Sequence, residues 1–173
     1  MLNLLLEDSL RIRMNESISK LMGYATVYML DSQFQEKREN GELLTIGNKR
    51  VLVEMGFMAE SPILQNEIFQ LKLKGFTPIL AHPERYSYLA GNLEYIQRLV
   101  DMGCELQLNL LSLTDHYGKA TQKTAMLFLN NGLYSWAGTD THHLGHIDLL
   151  NHLSSARIMK EIKTYPFKNI QLL

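Results

Sequence analysis

The chain has 173 residues, 46% of them hydrophobic, which is enough for one domain with its own core. Its 17 Lys and Arg against 18 Asp and Glu leave a net charge of −1, excluding the cationic excess that nucleic acid or an anionic membrane surface demands. The single cysteine, Cys104, excludes an internal disulfide, and no apolar run approaches the roughly 18 residues of a membrane span.

The opening Met1-Leu2-Asn3-Leu4-Leu5-Leu6 is apolar, but Glu7 and Asp8 follow at once. Without a basic start or a small-residue cleavage site it is no signal peptide, so a cytoplasmic protein is expected. Over the first 22 residues Leu10, Met14, Ile18 and Leu21 have helical spacing, while Ile12 breaks the face. Tyr24 to Leu30 is β-branched and aromatic and reads as a strand. Asp31-Ser32 caps a short polar helix ending near Gly41. Asn48-Lys49 turns into a second strand, Arg50 to Met55. Ser61 as N-cap and Pro62 at the first helical position open a helix through Ile63, Ile68, Phe69 and Leu73 to Gly75.

The cycle then repeats. Thr77 to Ala81 is a buried strand, and Asn92 to Gly103 a helix with Leu93, Ile96, Leu99 and Val100 on one face. Glu105 to Leu110 is a strand, its flanking Cys104 a buried thiol; Lys119 to Gly132 is a helix. Tyr134 to Thr139 is the last clear strand, and Leu144 to about Lys163 is largely helical. Tyr165 to Leu173 is a final strand or a packed terminus. Such alternation, with short connections, implies right-handed crossovers and a parallel sheet, so the fold class is α/β in a single domain. Pattern alone does not choose between an open sheet and a barrel.

Polar residues fall at the ends of these strands. Glu54 follows Val51-Leu52-Val53, His82 follows Ile79-Leu80-Ala81, Gln107 and Asn109 end the fourth strand, and Asp140 and His142 follow Gly138-Thr139. In α/β folds the carboxyl ends of the strands converge on one mouth, where functional groups gather. Asp140-Thr141-His142 places a carboxylate and an imidazole two residues apart, a mixture that divalent Mn, Zn or Fe accepts; Asp140 as a helix N-cap is the alternative. His82 leaves a buried strand just before Pro83 and is a ligand or a hydrogen-bonded core histidine. Arg85 offers a planar guanidinium suited to phosphate, or else a surface ion pair with Glu84 or Glu94. His143 and His146 are expected behind the ligands or facing solvent, His116 and His152 at the surface, and the methionines in the core.

Lys74 to Tyr86 (KGFTPILAHPERY) resembles the hallmark segment of the bacterial capsule-associated tyrosine-protein phosphatases of the PHP (polymerase and histidinol phosphatase) superfamily. Leu106 to Thr114 followed by Tyr117-Gly118-Lys119, and Gly138-Thr139-Asp140-Thr141-His142-His143, resemble that family in order and spacing, over about Tyr24 to His152. The resemblance implies a distorted (β/α)7, TIM-like PHP barrel with divalent metals, often Mn²⁺, at the carboxyl mouth, activating a water against the phosphorus of phosphotyrosine. By position, His82, Asp140 and His142 are implied metal ligands and Arg85 the catalytic residue that stabilises charge on the phosphate. The implied partner is a phosphotyrosine protein, such as a capsule-associated tyrosine kinase, and oligomers are compatible with the pattern.

The sequence departs from the family in three respects. The His-x-His of its first strand and the histidine ending its second do not occur in this sequence, so a partial barrel lacking its first strands, an N-terminally truncated member, is expected. Val27 stands where the family has a metal-bridging glutamate, and Gly145 where it has an arginine. The expected function is therefore a metal-dependent protein-tyrosine phosphatase tied to capsule or exopolysaccharide regulation. The alternatives are a non-catalytic remnant or phosphate-binding module, and a phosphatase for a small phosphomonoester such as histidinol phosphate.

Overall fold

The computed structural model describes residues 26–140 and, beyond them, positions 146, 149, 150, 153, 158, 162 and 164–169. The ambiguous first 22 residues, and His142, His143 and His152, lie outside the described residues. Five strands follow one another: β1 (Tyr28–Met29), β2 (Arg50–Glu54), β3 (Thr77–Ala81), β4 (Glu105–Asn109) and β5 (Trp136–Gly138). Between them lie α1 (Ser32–Asn40), α2 (Leu64–Leu73), α3 (Leu93–Asp101) and α4 (Lys119–Asn130). All neighbours pair in parallel, and the spatial order β1-β2-β3-β4-β5 is the chain order.

Local chemistry explains most boundaries. Asp31 accepts from Phe34 N at 2.9 Å and caps α1, which stops at Gly41 in the left-handed region (φ 75°). The Asn92 side chain caps α3 in the same way, accepting from Tyr95 N. Ser61 does not cap α2: its hydroxyl donates to Leu30 O, and the helix begins only after a turn through Pro62, at Leu64. Nor do Phe69 and Leu73 face the core, being 53% and 66% exposed; the buried stripe is Leu64, Ile68 and Leu71. β3 fills its sequence run, while the other strands are shorter than theirs. Leu110 leaves β4 for a 3₁₀ turn (Leu110–Leu113), started by Asn109 Oδ1 accepting from Leu111 N.

Successive residues of the strands point to opposite faces. Val51, Val53, Leu80, Leu106, Leu108 and Ala137 join Leu64, Ile68, Ile96, Leu99 and Phe128 of the helices in the main core. Leu52, Ile79, Ala81 and Trp136 form a smaller cluster on the other face. Below it, toward the amino ends of the strands, Glu105 accepts from Arg50 Nε (3.0 Å), Trp136 Nε1 (2.7 Å) and Lys168 Nζ (2.7 Å). Burial pushes the Glu105 carboxyl up, but these three donors outweigh it and leave it below the usual carboxylate range. On the helical side, Glu67 of α2 is fully buried and held by Arg38 of α1 (2.7 Å) and by Gln35 (2.9 Å).

The described positions 146, 149, 150, 153, 158, 162 and 164 are helical, and Leu153 and Ile162 are buried in the main core. Of the segment after them, residues 165–169 pack on β5 and form no strand; the rest of the expected final strand lies outside the described residues. Lys168 N donates to Ser135 O, and the Asn169 side chain donates to Ala137 O (2.8 Å) and accepts from Ala137 N (2.9 Å). No helix among the described residues is long and apolar enough to cross a membrane.

Candidate functional site

Because every strand runs the same way, their carboxyl ends share one edge, and four polar residues gather there. Glu54 ends β2, His82 follows β3, Asn109 ends β4 and Asp140 lies two residues beyond β5.

His82 opens a 3₁₀ turn (Pro83–Arg85) from a left-handed backbone, φ 36° and ψ 53°. For a residue with a Cβ that conformation costs about 1–2 kcal/mol, so the surroundings must hold it. His82 N donates to Gln107 O on β4 and Arg85 N donates to His82 O. The imidazole is buried, 4% exposed, with Nε2 3.6 Å from Glu54 Oε2. Its Nδ1 has no hydrogen-bond partner among the described residues. Phe57 stacks on the ring at 5.7 Å and Tyr86 packs beside it at 5.5 Å. The Tyr86 hydroxyl accepts from Met55 N, so this turn also steadies the loop after β2 that carries Phe57.

Arg85 points out of the same turn toward β5, and Nη1 donates to Asp140 Oδ2 at 2.5 Å. Its guanidinium carbon lies 4.8 Å from the Phe57 ring centre and 4.3 Å from that of Tyr117. Arginine stacks well on aromatic faces, and such contacts fix the plane of the fork. Tyr117 is placed by Asn109, whose Nδ2 lies 3.4 Å from the Tyr117 hydroxyl. Asp140 also has a left-handed backbone, φ 45°. Two of the three non-glycine residues with positive φ among the described residues thus belong to this mouth.

Several expectations are corrected. Arg85 pairs with Asp140, not with Glu84 or Glu94. Glu84 is not a surface acid: it is 2% exposed and accepts from Asn109 N (3.0 Å) and the Tyr134 hydroxyl (2.9 Å). Burial raises its carboxyl above the usual range. Of the two places expected for His146, behind the ligands or facing solvent, the solvent-facing one does not hold: it is buried, and its ring lies edge-on to His116 at 5.1 Å. His116 is exposed as expected, but it also packs on Tyr117 at 4.6 Å, which brings the histidine pair to the rim of the site. Glu54 stands out through its proximity to His82; its place at a strand end is the sequence signal that marks it. Val27 precedes β1 and is 42% exposed.

As a metal site the described residues supply a beginning rather than a whole. Glu54 and His82 adjoin, and the unpartnered Nδ1 shows that the imidazole keeps a ring nitrogen with no hydrogen-bond partner. Yet no three His, Cys, Asp or Glu among the described residues come close enough together to hold an ion. What they build is an anchored arginine beside a buried histidine.

A parallel sheet in chain order with helices over one face, and a His, Arg and Asp mouth at the strand ends, defines an α/β protein of the kind that binds its ligands at the carboxyl edge. Within that class the chain belongs to the CpsB/CapC family of capsular polysaccharide synthesis, whose sequence model matches residues 7–160. It is 31% identical over 128 residues to the tyrosine-protein phosphatase CpsB of Streptococcus pneumoniae, covering 70% of this chain and 52% of that protein. Against the tyrosine-protein phosphatase YwqE of Bacillus subtilis it is 27% identical over 104 residues, 60% of this chain and 41% of that one. The chain thus spans about half the length of these relatives. Its fold matches one of the crystal structures described as YwqE from Bacillus subtilis and CpsB from Streptococcus pneumoniae, unique metal-dependent tyrosine phosphatases. The TM-score is 0.66 at 20% sequence identity, over 85% of this chain and 59% of that one.

Proposed function

We propose that this chain carries the phosphate-binding part of a tyrosine-protein phosphatase acting in capsule or exopolysaccharide regulation. The observation that supports it is the setting of Arg85, tied by Asp140 at 2.5 Å and flanked by two aromatic rings beside the buried His82. A guanidinium held in a fixed plane offers its remaining N–H groups to phosphoryl oxygens as paired, charge-assisted hydrogen bonds. In the transition state the phosphoryl charge is spread over those oxygens, and a donor already in place stabilises it without reorganising. Phe57 and Tyr117 beside the guanidinium suit an aryl group on the phosphate. His82 contributes a ring nitrogen that accepts a proton or ligates a metal.

The sheet is proposed to be part of the wall of a PHP-type barrel. Sequential strand order supports this, as does the second face, with its apolar layer beneath the mouth and its Glu105 network below. His82, Asp140 and His142 are the proposed donors to a divalent metal, manganese first, and the position of Glu54 adds it to the set. Bound there, such an ion would supply an activated water. The proposed substrate is a phosphotyrosine protein such as a capsule-associated kinase.

The test is hydrolysis of an aryl phosphate by the purified chain with added Mn²⁺, alongside calorimetric binding of inorganic phosphate. Turnover that disappears in His82→Ala, with phosphate affinity that falls in Arg85→Ala, is the expected result. Turnover unchanged by His82→Ala sinks the enzyme reading. Phosphate binding without turnover leaves a phosphate-binding module, the reading motivated by Val27 in place of the family's glutamate. A preference for histidinol phosphate over a phosphotyrosine peptide would reassign the substrate.

A further inference from the structure

We propose that Glu84 is a positioning residue that sets the turn carrying His82 and Arg85, its buried carboxylate fastening that turn to β4 and to Tyr134. The inference rests on the phosphate-binding reading of Arg85.

Glu84 stands between the two site residues, and its side chain goes elsewhere. Arg85 reaches across the mouth to Asp140, while Glu84 runs into the protein, where Oε1 accepts from Asn109 N and Oε2 from the Tyr134 hydroxyl. The turn itself is weakly determined. It is three residues of 3₁₀ helix with no side-chain cap, preceded by a histidine in a conformation that a Cβ disfavours. Something outside the turn must therefore choose its geometry, and Glu84 has the right connections.

Both of its partners are themselves fixed. The side chain of Asn109 starts the next 3₁₀ turn and lies against the hydroxyl of Tyr117, the ring packed on Arg85. Tyr134 follows α4, and its backbone N and O both engage the Tyr165 hydroxyl. One carboxylate thus connects the backbone under Arg85 to the residue that places the ring beside Arg85. An aliphatic side chain of the same size would fill the space without losing solvation, but it has no acceptors for these two donors. A role in aiming the turn accounts for the acid at this position; a role in filling volume does not.

The experiment measures the dissociation constant for inorganic phosphate and the melting temperature of the whole chain in wild type, Glu84→Gln, Glu84→Leu and Tyr134→Phe. A glutamine oxygen accepts from Asn109 N and its amide donates to the Tyr134 oxygen, since a hydroxyl serves in either direction. Glu84→Gln should therefore bind phosphate within about threefold of wild type, and folded Glu84→Leu roughly tenfold more weakly, the equivalent of one lost hydrogen bond. Folded Glu84→Leu that binds as wild type overturns the proposal, and so does Glu84→Gln as weak as Glu84→Leu. If Glu84→Leu does not fold, Tyr134→Phe decides: reduced phosphate affinity supports the proposal, and unchanged affinity overturns it. A folded wild-type chain that binds no phosphate removes the phosphate reading and this inference with it.

Discussion

Arg85 and Asp140 lie 55 residues apart in the sequence and 2.5 Å apart in the fold, Nη1 to Oδ2. Each sits in its own motif at the end of a different strand, so the contact joins β3 to β5 across the mouth. Both side chains are largely shielded, 19% and 26% exposed, which makes the pair stronger than one in open water. A double-mutant cycle with Arg85→Met and Asp140→Asn, read by urea unfolding, should give a coupling energy on the order of 1–2 kcal/mol. Additive single effects would mean the two charges stand apart in solution.

The Arg38–Glu67 pair is deeper and should matter more. Glu67 has no exposed surface and Arg38 is 7% exposed, so removing one leaves the other charged and buried. Glu67→Ala is expected to cost about 3–5 kcal/mol, and a joint replacement by Leu and Met much less. Chemical denaturation of the three chains checks the order.

Acid stability should depend on Glu105. Its carboxyl is held below the unfolded value of about 4.3, so its contribution is full above that value and disappears as pH falls through the lower folded one. Replacing Lys168 by Met removes one of the three donors and should move the acid-unfolding midpoint upward. Circular dichroism between pH 2 and 6 follows this, and an unmoved midpoint would detach Lys168 from the network.

Cys104 should be inert in the native protein. It is 2% exposed, and burial pushes its thiol up to about 12, so thiolate is scarce at neutral pH. A disulfide reagent should titrate it only after unfolding, at a rate that reports global opening rather than surface chemistry.

What the sequence disclosed was whatever short-range chemistry decides. β3 occupies the run Thr77 to Ala81 because an apolar stretch lies between Gly75 and the His-Pro turn, and α1 begins and ends at the expected Asp31 and Gly41. The convergence of His82, Arg85 and Asp140 was legible because parallel strands put their carboxyl ends together. Glu84 was not, since the residues that bury it lie 25 and 50 positions away. Ser61-Pro62 has the pattern of a helix start, but the helix begins only at Leu64, and the serine hydroxyl is turned to donate to Leu30 O, a tertiary contact that the local pattern does not contain. His146 has no pattern of its own; its ring meets that of His116, 30 positions away, edge-on.

The amide of Asn169 meets Ala137 as a neighbouring strand would, giving one hydrogen bond and taking another. A single side chain thus stands in for a backbone along part of β5. Both groups of Ala137 are buried at that point, so this amide supplies the partners that water cannot reach to supply. Asn169→Leu would be near-isosteric yet leave both groups without partners, and its signature would be a loss of roughly 1–3 kcal/mol per group in urea unfolding.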